Sequence, residues 1–252
     1  MGFPTERGLP VAAIDSADKP DGYEPHIGDS RQYWRDIILG VNDGLVSMLL
    51  LVAGVVGGGL SAEQVLLTGV AGAIAGAISM AAGEYLATKS QDDVLAAELS
   101  LERVHIANFR EMEVEQLRGM FREMGVAPEA IPSVVEAFSA DDHVLLNAMK
   151  ALEFGVVDSE RRSPYTAMYA SGLLFLLGSA SSVLPFVFTE DASTGLLWAS
   201  LLTAAGLFAV GVVKAVVSRS SFVRSGLENL LIAGAGGVTA WWVGRLVGTT
   251  LS

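Results

Sequence analysis

Residues 64–83 read QVLLTGVAGAIAGAISMAAG, twenty consecutive positions without a charge. At 1.5 Å per residue such a helix is about 30 Å long, the thickness of a bilayer's hydrocarbon core. Helices of soluble proteins ordinarily carry a polar stripe along one side. This one carries none, so it reads as a membrane span. Directly after it the composition changes, with Glu84, Lys89, Asp92 and Asp93 inside ten residues. That switch from apolar helix to charged segment organises the rest of the chain.

Working outward, Gly44 to Ala62 is uncharged and its helix is expected to start earlier, near Asp36. Tyr165 to Phe188 and Ser193 to Val213 are further uncharged runs. Asn229 to Gly244 is shorter, but Gly226 to Thr250 suffices if Arg245 snorkels to the interface. The reading is an all-α polytopic membrane protein with five transmembrane helices and a three-helix cytosolic insert. Its parts are a polar, proline-containing tail (1–30) read as disordered and not as a signal peptide, helices one and two (31–88), the insert (89–162) and helices three to five (163–252).

The composition agrees once it is divided. The 252 residues are 51% hydrophobic and 17% charged, yet carry a net charge of −12. Residues 89–162 hold 15 acidic and 8 basic side chains, a net −7, so most of the acidity lies outside the spans. An acidic chain without a basic face is disfavoured as a nucleic-acid binder. With no cysteine, disulfides and Cys-based zinc or iron–sulfur sites are excluded.

Loop charges set an orientation. Arg31 and Arg35 precede span one, Arg161 and Arg162 precede span three, and Lys214, Arg219 and Arg224 lie between spans four and five. The opposite turns hold no lysine or arginine. By the positive-inside rule the N-terminus and the insert are cytosolic and the C-terminus is outside. The Gly- and Ala-rich composition points to a bacterial plasma membrane.

In the insert, apolar residues recur at helical spacing from Val94 to Val104 and from Met112 to Met124. Gly125 and Pro128 break the pattern, a short helix is expected over Pro132–Phe138, and another over Asp141–Phe154 with Asp141 as N-cap.

Asp43 stands in Gly40-Val41-Asn42-Asp43-Gly44, where a carboxylate costs about 2.5–3.5 kcal/mol on insertion scales. It is either a cation or proton site or an interfacial carboxylate reaching the headgroups. Gly40 and Gly44 would let a neighbouring helix approach it. Asp36, seven residues earlier on the same face, is a candidate proton relay. Met80 and Glu84 share a face one turn apart, a thioether and a carboxylate that suit Fe²⁺ or Mn²⁺ better than Mg²⁺. Packing for Met80, and an interfacial charge beside Lys89 for Glu84, are the plainer readings. Glu98, Glu102 and His105 lie at i, i+4 and i+7, followed by Glu111, Glu113 and Glu115, while Met149 and Glu153 are again i, i+4. Such a set can hold a divalent first-row metal or be a solvated face.

Two stretches carry a resemblance. Arg35–Leu45, RDIILGVNDGL, is similar to the first-helix signature of the vacuolar iron transporter family, and Gly76–Tyr85, GAISMAAGEY, running on to Ser90 and Gln91, resembles that family's second-helix signature. The five-span plan and the closing span from Gly226 to Gly244 also match, so the resemblance covers about residues 31–250. It implies export of Fe²⁺, and often Mn²⁺, from the cytosol in exchange for protons, by a homodimer with the pathway between its subunits. Asp43 and Met80 match intramembrane metal positions; Glu102, Glu113, Met149 and Glu153 match positions on the metal-binding helices. Gly72 replaces an acidic residue of some family transporters, and His105 and Gln116 stand where the pattern has glutamates.

The expected partners are therefore divalent ions (Fe²⁺ or Mn²⁺, with Zn²⁺ as a further candidate), the bilayer and a second copy of the chain, with no prosthetic group. Gly54/Gly58 and Gly72/Gly76 are compatible with close packing in such a dimer. The expected activity is transport rather than enzymatic. The rival readings are a membrane-anchored di-iron, ferroxidase-like enzyme, for which Glu102 and His105 supply one Glu-x-x-His spacing, a metal sensor, and a magnesium or calcium carrier.

Overall fold

The computed structural model describes residues 31–156, 163–218 and 221–251, so the tail and the Arg161–Arg162 pair lie outside the described residues. Helix α1 spans Arg31–Gly57, α2 Ala62–Glu123, α3 Ile131–Phe138, α4 Asp142–Leu152, α5 Pro164–Val183, α6 Ala192–Ser218 and α7 Phe222–Leu251, with a 3₁₀ turn over Leu184–Val187. There is no strand among the described residues, and five of the helices are long and apolar enough to cross a membrane. The all-α, five-span expectation is borne out.

Helix α1 is the centre of the membrane part. It packs against α5 and α7 most extensively, and α2 lies on α5. The approach is close because glycines face backbone. A Cβ at Gly44 would overlap the Phe175 carbonyl, and one at Gly178 would fall 2.8 Å from the Leu45 nitrogen. On the other side of α1, Gly54 and Gly58 meet Ala240 and Gly244 of α7, while Gly72 and Gly76 receive the Leu51 and Phe175 side chains. These four glycines are therefore used within one chain. Without a hydrophobic drive between helices in lipid, such contacts and interhelical hydroxyl bonds hold the bundle. Thr203 of α6 bonds Ser181 and Ser182 of α5 at 3.0 and 2.9 Å.

Helix α2 begins on a capping box, in which Gln64 N–H donates to Ser61 Oγ and Ser61 N–H to Gln64 Oε1. It does not stop where the apolar run ends. It continues out of the span to Glu123, so the first helix of the insert is an extension of span two rather than a separate element. At Phe109 the backbone leaves helical geometry (φ −134°, ψ 33°), which divides α2 into a long and a short arm. Gly125, at φ +84°, turns the chain after the short arm. Ile106, Leu117, Phe121, Ile131, Val135, Leu145, Ala148 and Met149 then form one apolar core of α2, α3 and α4. Asp141 caps α4 as expected, accepting from Val144 N–H at 2.9 Å.

Candidate metal centre

Glu102 and His105 are one turn apart on the long arm of α2, and Glu113 lies on the short arm. On a straight helix Glu102 and Glu113 would be about 16 Å apart along the axis. Instead one donor atom from each of Glu102, His105 and Glu113 lies within 4.8 Å of the others. The break at Phe109 folds the short arm back and creates the cluster. Two ion pairs of the short arm flank it. Arg110 bonds Asp142 at the start of α4 and donates at 2.7 Å to the carbonyl of Ser139, the residue after α3, tying the break to the turn between those helices, and Arg118 pairs with Glu115.

His105 Nδ1 stands 3.5 Å from Glu113 Oε1 and 4.0 Å from Glu102 Oε2. Glu102 and Glu113 are only 4% and 6% exposed, whereas His105 remains half-buried at the rim. Glu102 Oε1 is buried with no hydrogen-bond donor among the described residues. Burial, then the charges of Glu113 and Glu153, push the Glu102 carboxyl up to about 7, with His105 opposing. A first-row ion bonds carboxylate oxygen and imidazole nitrogen at about 2.0–2.2 Å, which sets neighbouring donors of a tetrahedral site roughly 3.3–3.6 Å apart. His105 and Glu113 stand at that separation and His105 and Glu102 a few tenths of an ångström wider, and a cation would relieve the part of the Glu102 shift that comes from carboxylate repulsion.

Other predicted residues fall elsewhere. Glu153 caps the C-terminus of α4, is exposed, and acts on Glu102 through its charge. Met149, one turn earlier, is fully buried in the apolar core. Glu98 is exposed beside a cavity lined by Val94, Leu95 and Phe154, and does not join the cluster; Glu111 and Glu115 are exposed as well. The di-iron pattern lacks its second half, because His143 is exposed and bonded to Asn147 at 3.3 Å.

In the membrane part Asp36 is 4% exposed, lies 3.4 Å from Arg35 Nη2 and lines a crevice between α1 and α5 with Thr166 and Ala170. Asp43 is exposed on the surface of α1 and accepts from Ser47 Oγ at 2.8 Å. Although the two aspartates are nearly in line on the helix, α5 covers one and not the other. Met80 packs at the edge of a cluster containing Met48 and Phe175. Glu84 is half-buried, and Lys89 pairs with Asp93 at 3.4 Å. Sequence reasoning missed Arg110 and the break at Phe109.

The fold and site define an integral membrane protein with five membrane-spanning helices, one of which carries beyond its span a cluster of two buried carboxylates and a half-buried imidazole. The VIT family model matches residues 34–245, and the chain belongs to that family, a family of transporters. Vacuolar iron transporter 1 of Arabidopsis thaliana is 30% identical over 213 residues, covering 84% of this chain and 85% of its own. Vacuolar iron transporter 1 of Oryza sativa subsp. japonica is 27% identical over 244 residues, 96% of each chain. Protein CCC1 of Saccharomyces cerevisiae is 27% identical over 221 residues, 84% of this chain and 68% of its own. The resemblance carried by the two helix signatures is thereby borne out.

Proposed function

We propose that this chain moves Fe²⁺ or Mn²⁺ out of the cytosol across its membrane in exchange for protons. The observation that carries the reading is the Glu102–His105–Glu113 cluster, built on the same helix that crosses the bilayer with Met80. The insert captures the ion and raises its concentration at the pore mouth, as clustered carboxylates do. Zn²⁺ suits the same donors and is a competitor. Glu153 adds charge beside the cluster, and Met149 anchors the helix that presents it.

The ion then passes to Asp43 and Met80, with Glu84 at the inner end of span two and Asp36 relaying protons. Protons and metal compete for the same carboxylates, which couples the two flows. A carboxylate facing lipid is costly, so the exposure of Asp43 supports a homodimer in which a second copy covers it and supplies its own Asp43. The arginine and lysine loops support an N-terminus and insert in the cytosol and a C-terminus outside, and the composition supports a bacterial plasma membrane.

Flux of Fe²⁺, Mn²⁺, Zn²⁺ and Mg²⁺ into proteoliposomes, with and without a pH gradient, tests the reading. Fe²⁺ and Mn²⁺ flux that rises with an opposing proton gradient is expected, with little for Mg²⁺. Flux indifferent to the gradient would remove the antiport, and no flux of any ion would remove transport.

A further inference from the structure

A cavity of about 480 Å³ lies between α1, α6 and α7, away from Asp43, Met80 and the metal cluster. Its walls are aliphatic side chains, alanines and glycines, among them Leu49, Leu207, Gly234 and Gly237; Ser200 supplies its one hydroxyl. Water needs two to four polar partners to stay in such a space, and these walls do not offer them. Left empty, the walls would lose packing contacts. The occupant is therefore apolar.

Its length and its end identify the occupant further. Along α7 the lining runs from Leu230 to Trp241, about 16 Å of helix, half of a hydrocarbon core of about 30 Å. That is the depth of one leaflet. The Trp241 end lies at the membrane border, because Trp241 packs on Gly57, the last residue of α1. One turn beyond, the Arg245 guanidinium stands 5.3 Å from the Trp241 ring and 5.9 Å from the Trp242 ring. It pairs with no carboxylate among the described residues. Indole rings and a snorkelling arginine belong at headgroup depth, and a guanidinium there matches a phosphate.

We propose that the cavity is a phospholipid site: one acyl chain of a lipid from the leaflet at the α1 C-terminus fills the space between α1, α6 and α7, and Arg245 binds its phosphate.

Native mass spectrometry of the full-length chain, stripped in neutral detergent and titrated with phosphatidylglycerol, tests this. The wild type is expected to retain one phospholipid per chain through delipidation. A side chain at Gly234 enters open space, since a Cβ there meets nothing within 4 Å, so Gly234→Leu fills the cavity and should abolish retention. Arg245→Gln should weaken binding roughly tenfold, the worth of a charge-assisted hydrogen bond. Equal retention by wild type and Gly234→Leu overturns the proposal. So does loss of the dimer in Gly234→Leu with lipid binding unchanged, which would make the cavity a seat for a second copy. If Gly234→Leu fails to fold, unaltered affinity in Arg245→Gln overturns it instead.

Discussion

Glu102→Gln should stabilise the metal-free insert while destroying its metal binding. Burial beside Glu113 and Glu153 raises the Glu102 carboxyl from 4.5 to about 7. The folded insert therefore holds this proton more tightly than the unfolded chain does between those two values. Glu102's contribution to stability is fully present below pH 4.5 and declines as pH rises, with the loss complete above 7. At about 1.4 kcal/mol for each tenfold change in proton affinity, the loss is roughly 3 kcal/mol. Glutamine keeps the shape and cannot ionise, so it removes that loss. Amide exchange at Leu117 and Leu145, both fully buried in the insert core, reads the opening free energy in the intact chain. Between pH 5 and 8 the wild type should lose up to about 3 kcal/mol relative to the variant. Fe²⁺ or Mn²⁺ should protect the wild type at pH 8 and leave the variant unprotected. At pH 6, where protons hold about nine-tenths of Glu102, metal affinity should be about tenfold below its plateau. Identical pH profiles for the two proteins would refute the buried, proton-competing carboxylate.

Further outcomes follow from the same geometry. Asp43→Ala should abolish metal flux in proteoliposomes while the chain keeps its helix content and its elution volume; wild-type rates would remove Asp43 from the pathway. Glu153→Gln takes away one of the charges that raise Glu102, so the pH midpoint of metal binding should fall, and an unmoved midpoint would contradict the assigned cause. Gly178→Ala pushes a Cβ against the Leu45 nitrogen at 2.8 Å and should cost about 1–3 kcal/mol of stability, seen as a lower melting temperature in detergent; an unchanged melting temperature would deny the close α1–α5 contact.

The pairing of Glu102 with His105 was legible because helical spacing alone puts i and i+3 together. Glu113 was singled out only through the family resemblance, and spacing did not bring it to the other two. Its arrival there depends on a break at Phe109, where the flanking Asn108, Phe109 and Arg110 include no glycine or proline to announce it. The apolar core of Ile106, Leu117 and Leu145 and the Arg110 contacts to the turn between α3 and α4 hold the short arm in place. Nor could spacing separate Met149, sunk in that core, from Glu153 at its edge.

What the sequence by itself determined was the membrane plan. A bilayer core demands about 20 apolar residues per helix, and a run such as 64–83 meets that demand without reference to any other part of the chain. The two helix signatures likewise carried the family. Tertiary structure alone decided which glycines are spent inside one chain, that Asp36 is covered while Asp43 is not, and that two carboxylates meet an imidazole across a broken helix. Spans answer to the solvent, which acts on every residue separately; sites answer to contacts between arms whose angle no local sequence specifies.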